Sequence, residues 1–96
     1  MESVKRIIQG REQVVDRRYR HVHSIWQAGD LKSFKRMFEI IPRSVVSDDL
    51  GMHYNSFTNK LNRPELLNLK QLFLLVEFIG INIGALVELV AADIEA

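Results

Sequence analysis

Apolar residues recur along the first third of the chain at positions 4, 7, 8, 14, 15, 19, 22, 25 and 26, with charged residues between them. Gaps of three, four and seven mark one face of a helix, so the pattern predicts a helix over 3–28 that stops at Gly29. Gly10 inside it costs about 1 kcal/mol against alanine and marks a fray or kink. Asp30 then caps a second predicted helix, "LKSFKRMFEII", with Leu31, Phe34, Met37, Phe38 and Ile41 inside, and Pro42 ends it. "RSVVSDDL" reads as a short helix up to Gly51, and "HYNSFTNKLN" as another, about 15 Å long. After the connection "RPELL", Asn68 caps "LKQLFLLVEFI", which ends at Gly80, and Asn82 starts "IGALVELVAADIEA". No alternating run and no Asn-Gly turn argues for strands. The expected fold class is all-α: five core helices and one extra N-terminal helix, divided as residues 1–29 and 30–96.

Composition narrows the class. A chain of 96 residues is one compact unit by size, and 47% apolar content suits a packed core. Such a chain buries roughly 60–68% of its unfolded surface. Without cysteine there is no disulfide framework and no thiolate metal site. "MESVKRIIQGREQVVDRRYR" lacks the apolar core of a signal peptide. The most apolar stretch, "LFLLVEFIGINIGALVELV", is broken by Glu77, Asn82 and Gly84, so no membrane span is expected. A soluble cytoplasmic protein is the expectation.

Net charge is +1, unevenly placed. Residues 1–36 hold nine Lys/Arg against four Asp/Glu, residues 37–64 three of each, and residues 65–96 one against five. A basic front and an acidic tail suit nucleic-acid binding, and equally suit packing of the two ends on each other. Candidate chemistry is sparse. His21 and His23 are two apart, so on a helix they point apart and make a poor metal pair. No Cys/His cluster has zinc spacing, and no phosphate loop, nucleophile elbow or carboxylate pair appears. No catalytic residue, metal, cofactor or small-molecule substrate is expected, and the chain is not read as an enzyme.

Residues 30–90 resemble the lambda-repressor-like (XRE/Cro) helix-turn-helix family, over about two thirds of the chain. "VSDDLG" matches the family's first motif, with Val46 at the leucine position and Ser47 at the small-residue position. "GMH" matches the turn and "YNSFTNKLN" the recognition helix, with Phe57 at the usual isoleucine and Leu61 as a second anchor. "LKQLFLLVEFIGI" and "IGALVEL" match the remainder. The chain departs from the pattern at His53, where Ser or Thr is common as a cap, and at Pro42–Arg43, where Thr-Gln is common. The residues agree with this independently. Ser47 is small enough for two helices to approach, Gly51 can take positive φ, and Phe57 and Leu61 share one side.

The resemblance implies sequence-specific binding of double-stranded DNA by a transcriptional regulator associated with the nucleoid, with residues 53–62 in the major groove. Tyr54, Asn55, Ser56 and Asn59 are then the base-reading candidates, since Asn pairs bidentately with adenine and Ser contacts several bases. Arg43, His53, Lys60 and Arg63 are the phosphate-contact candidates. Asp48 and Asp49 fall on the side away from DNA, as a solvated face. Against this stands the plain reading of a solvated polar helix face. The basic N-terminal residues Lys5, Arg6, Arg11, Arg17, Arg18 and Arg20 read mainly as a solvated face packed on the domain, and otherwise as extra phosphate contacts. Ile8, Val15 and Val22, seven apart, also allow a helix pair between two chains.

A homodimer is the expected partner state. In the resembled family the "LKQLFLLVEFI" helix buries the positions of Leu69, Leu72, Phe73, Val76 and Ile79. Leu74 falls where a polar residue is usual and Phe78 where a small one is. With Val87, Val90 and Ile94 of the next helix they form an expected dimer interface, or else pack under the N-terminal helix. The alternative function, from a different class, is a protein-interaction module that uses its apolar C-terminal helices.

Overall fold

A computed structural model describes residues 4–95. The chain begins as a β-hairpin, β1 (Val4–Ile8) and β2 (Arg11–Val15). Five helices follow: α1 (Arg18–Gln27), α2 (Arg43–Asp49), α3 (Tyr54–Asn62), α4 (Leu69–Ile79) and α5 (Ile83–Glu95). Single 3-10 turns occupy Lys35–Glu39 and Pro64–Leu66. The all-α expectation is therefore corrected: the N-terminal helix begins only at Arg18, and an antiparallel sheet precedes it.

The hairpin has a local cause. Gln9 and Gly10 both take positive φ, 52° and 78°, as a two-residue hairpin loop of primed type requires. Both strands end in β-branched doublets, Ile7–Ile8 and Val14–Val15. One member of each doublet turns inward and the other outward. Val4, Ile8 and Val15 enter the core, while Lys5, Ile7, Glu12 and Val14 form the outer face. Buried residues at 4, 8 and 15 imitate a helical period, although pleating produced them.

The expected helix over 31–41 is corrected as well, to one 3-10 turn. Leu31, Phe34 and Met37 are all buried and recur every third residue, the 3-10 period. The backbone N–H groups of Phe34 and Lys35 donate to the Leu89 carbonyl (3.1 Å) and to Asp93 Oδ2 (2.9 Å). Those bonds draw the segment onto α5 and leave no independent helix start there.

One apolar cluster runs from the hairpin to α5, continuous across residues 29 and 30. Its middle is Tyr19, Phe34, Phe57, Leu75, Ile79 and Leu86, each fully buried. A side chain of that size contributes about 1.5–3 kcal/mol when buried. Tyr19 stacks on Phe78 with ring centroids 5.2 Å apart, and Phe38 meets Phe34 and Phe57 edge to face.

Helix α4 spans the molecule between two groups of contacts. At its start Asn68 and Gln71 form a reciprocal capping box. At its end Arg6 Nε donates to the Phe78 carbonyl (3.4 Å), and His23 Nδ1 lies 3.2 Å from the Ile79 carbonyl oxygen. Helix α5 starts on Asn82, whose Oδ1 accepts from the Ala85 N–H at 2.8 Å. No single helix among the described residues is long and apolar enough to cross a membrane, and α4 and α5 are bent by 112° at their junction.

Candidate nucleic-acid interface

Helices α2 and α3 meet through a tight turn that the sequence builds in three steps. Ser47 is buried between them, and its Oγ donates to the Ser44 carbonyl at 3.0 Å, so a small polar residue costs no unpaired group. Gly51 takes φ 68° and ends α2. Met52 N–H then returns to the Ser47 carbonyl at 2.9 Å, and His53 enters α3 extended, at φ −65° and ψ 143°. His53 is exposed and supplies no side-chain cap.

Phe57 and Leu61 bury one side of α3. Asn55, Ser56 and Asn59 are exposed, and so is Asn62. Asn55, Asn59 and Asn62 stand at i, i+4 and i+7, which makes them one stripe. Asn62 was not among the sequence candidates, although its spacing from Asn55 was the available signal. Tyr54 stands apart from that stripe. Its ring is 46% exposed and carries the Arg43 guanidinium above it, 5.8 Å from the centroid.

The expected phosphate contacts are differently placed. Arg43 is exposed at the start of α2. Lys60 is half-buried, and its Nζ donates to Gln71 Oε1 at 3.2 Å, which ties α3 to the start of α4. Gln71 Nε2 also lies 3.3 Å from Met52 Sδ, so one side chain touches the turn, α3 and its own cap. Arg63 is exposed and 3.8 Å from Glu65, a loose surface pair.

Asp48 is exposed, but Asp49 is not part of a solvated face. It is half-buried at the end of α2 and accepts the Tyr19 hydroxyl at 2.6 Å. Burial raises its pKa, the Tyr19 bond partly offsets that, and Asp16 and Asp48 add to the rise. Burial, then Asp49, pushes the Tyr19 hydroxyl up. Asp16 is held low by its hydrogen bonds from Arg18, at 2.9 and 2.8 Å. Three of the six basic N-terminal residues are engaged away from α3. Arg6 binds the end of α4, Lys5 lies 3.6 Å from Glu12, and Arg18 pairs with Asp16.

The residues expected at a dimer interface separate. Phe78 is only 4% exposed, because Tyr19 covers it, and Leu74 is half-buried against the same core. Val90 is buried as well. Val87 and Ile94 remain exposed, and so do Leu69 and Phe73, which the resembled family's pattern would bury. The cause is the rotation of α4: Leu75, Phe78 and Ile79 face inward because the hairpin and α1 cover that side. Val87 and Ile94 line a shallow apolar groove of about 170 Å³ with Pro64, Leu67, Leu72 and Val90.

Among the described residues no group of three or more His, Asp or Glu side chains is placed to hold a metal ion. No family model, no curated protein and no solved structure matches this chain.

Proposed function

We propose that the protein binds duplex DNA, with α3 in the major groove, and acts as a transcriptional regulator on the nucleoid. The observation that carries this reading is the stripe of exposed amides on α3, Asn55, Asn59 and Asn62, on a short helix whose other side is anchored by Phe57 and Leu61. Asn presents a donor and an acceptor side by side, which matches the N6 and N7 edge of adenine. Arg43, Lys60 and Arg63 border the stripe as cations for the backbone, fixing register without reading sequence. Tyr54, held by Arg43, presents an aromatic edge to a phosphate or a thymine methyl. Ser56 and His53 lie at the first turn of the same helix.

A second copy of the chain completes the reading. Val87 and Ile94 are exposed in the groove beside α5, and Leu66, Leu69 and Phe73 are exposed as well. A contiguous apolar surface of this kind is where a second chain would dock. A two-fold pair would set two α3 helices on successive turns of the duplex, about 34 Å apart. Light scattering then gives twice the chain mass of 11.1 kDa. The same apolar surface supports the competing function, a protein-interaction module that binds a different protein and no DNA.

Selection of bound sequences from a random duplex pool, followed by salt titration of the winner, separates the two. The DNA reading expects an enriched site and affinity that falls steeply with salt. No enrichment and no binding at low salt would leave the protein-interaction module.

A further inference from the structure

Beside the end of α3 lies a pocket that shares only Asn62, the last amide of the stripe, with the base-reading surface. It has a volume of about 270 Å³ and is lined by Lys35, Phe38, Glu39, Arg43, Leu61 and Asn62. Its cations are unspent. Among the described residues neither Lys35 nor Arg43 forms an ion pair. Glu39 is the single acid in the lining, and both its oxygens accept from Arg36 Nη1, at 2.8 and 3.2 Å. Asp93 stands near the rim, where its carboxylate is occupied by the Lys35 backbone N–H at 2.9 Å. The pocket therefore presents two cations outside any ion pair, Lys35 and Arg43, over an apolar floor of Phe38 and Leu61, while Asp93 keeps its negative charge beside Lys35.

We propose that this pocket seats one sugar–phosphate unit of a DNA backbone. Lys35 and Arg43 hold the phosphate, Asn62 donates an amide N–H to it, and the apolar floor takes the C–H edge of the deoxyribose. The inference rests on the DNA reading of α3 and extends its footprint to a segment that precedes α2. Volume limits the occupant: drug-sized ligands fill roughly 300–1,000 Å³, so this pocket suits one backbone unit and not a whole nucleotide with its base. Arg43 links the two parts of the surface, because it also lies over Tyr54 at the start of α3.

Lys35→Ala tests it, since that side chain is exposed and its removal leaves the core intact. Binding of random and selected duplexes is measured at 50 and 200 mM salt. Each lost phosphate contact lowers the log–log slope by about 0.9, so over that fourfold range the wild type loses about 3.5-fold more affinity than the variant for one bound chain, and about 12-fold more for the two-fold pair. The effect is the same on both duplexes, and Asn62→Ala weakens both in the same direction. A Lys35→Ala protein with the wild-type slope overturns the proposal while leaving the reading of α3 intact. Should the wild type bind no duplex at low salt, the DNA reading fails and the pocket is judged separately. 2-Deoxyribose 5-phosphate is then titrated into isotope-labelled protein. Amide shifts at Lys35, Phe38 and Asn62 that vanish in Lys35→Ala retain a phosphoryl site, and their absence removes it.

Discussion

Residues 4–15 and residues 43–62 carry the same outward signal and fold differently. Each has apolar positions four apart, and each is broken by one glycine with positive φ, Gly10 and Gly51. In the second stretch Val46 and Leu50, then Phe57 and Leu61, each lie four apart, on single helical faces. In the first, Ile7–Ile8 and Val14–Val15 are adjacent pairs, with one member of each buried and the other exposed. Pleating produces that split, because neighbouring residues in a strand point to opposite sides. The comparison teaches that neither a spacing of four nor a β-branched doublet decides, since Val45–Val46 lies in α2; two consecutive residues of positive φ, Gln9 and Gly10, turn the first stretch back on itself, whereas Gly51 alone only ends a helix.

The most severe test asks whether the hairpin end and the α3 end share one core. Tyr19 is fully buried, stacked on Phe78 and bonded to Asp49. Tyr19→Ala should cost about 3–5 kcal/mol, in the range of large aromatic truncations. Urea unfolding measures it, and a loss below about 1 kcal/mol would mean that the N-terminal segment is detachable. Next in size is the effect on binding. Asn55→Ala or Asn59→Ala should cost about 1–3 kcal/mol on the best duplex while leaving the melting temperature unchanged, since both side chains are exposed. Equal losses on specific and random duplexes would remove the base-reading role.

The sharpest comparison of the two stretches is a pair of alanines. A Cβ on Gly10 or Gly51 would meet nothing within 4 Å, so only the backbone conformation is at issue. Each substitution should destabilise by about 1–2 kcal/mol, the cost of a left-handed L-residue. Were residues 4–15 helical instead, Gly10→Ala would stabilise by about 1 kcal/mol, so the sign alone separates a hairpin from a helix.

The smallest effect is on the pH dependence of folding. Asp49 has a raised pKa in the fold, so its contribution is complete below the unfolded value near 3.9 and is lost as pH rises through the folded value. Asp16 is lowered, so its contribution is present above that unfolded value and is lost as pH falls through the folded one. Asp49→Asn should therefore gain stability relative to wild type as pH rises from about 4. Asp16→Asn should lose ground relative to wild type below about 4, as pH rises from the lowered folded value to the unfolded one. Denaturation curves at a series of pH values check both, and identical pH profiles would deny the two carboxylates their opposite environments.

Much of the C-terminal two thirds was legible because its signals are local. Asn68 and Asn82 were recognisable as caps, and both are seen to cap. Helices at 43–49, 54–62, 69–79 and 83–95 lie where spacing and breaker residues indicated. The hairpin was not legible from a search for Asn-Gly, because Gln-Gly makes the turn here. The 31–41 segment misled because Asp30 and a row of apolar residues imitate a helix start, while the partners that straighten it, Leu89 and Asp93, lie over fifty residues away. The facing of α4 was illegible for the same reason. Eight of its eleven residues are apolar, so the neighbours at Tyr19 and β1 decide which of them are covered. Of the candidate site, the amide stripe could be read from spacing, whereas the tie from Lys60 to Gln71 and the pairing of Tyr19 with Asp49 needed three dimensions.

Gln71 closes the cap of α4, accepts from Lys60 and rests against Met52. Three positions distant in the chain therefore share a single amide, and none of them can drift in sequence without regard to the others. A change to Glu would keep the acceptor for Lys60 and lose the donor to Met52, and a change to Leu would remove all three links at once. Among related chains, positions 52, 60, 68 and 71 should accordingly change as a set, with substitutions at one tolerated only in the company of particular residues at the rest.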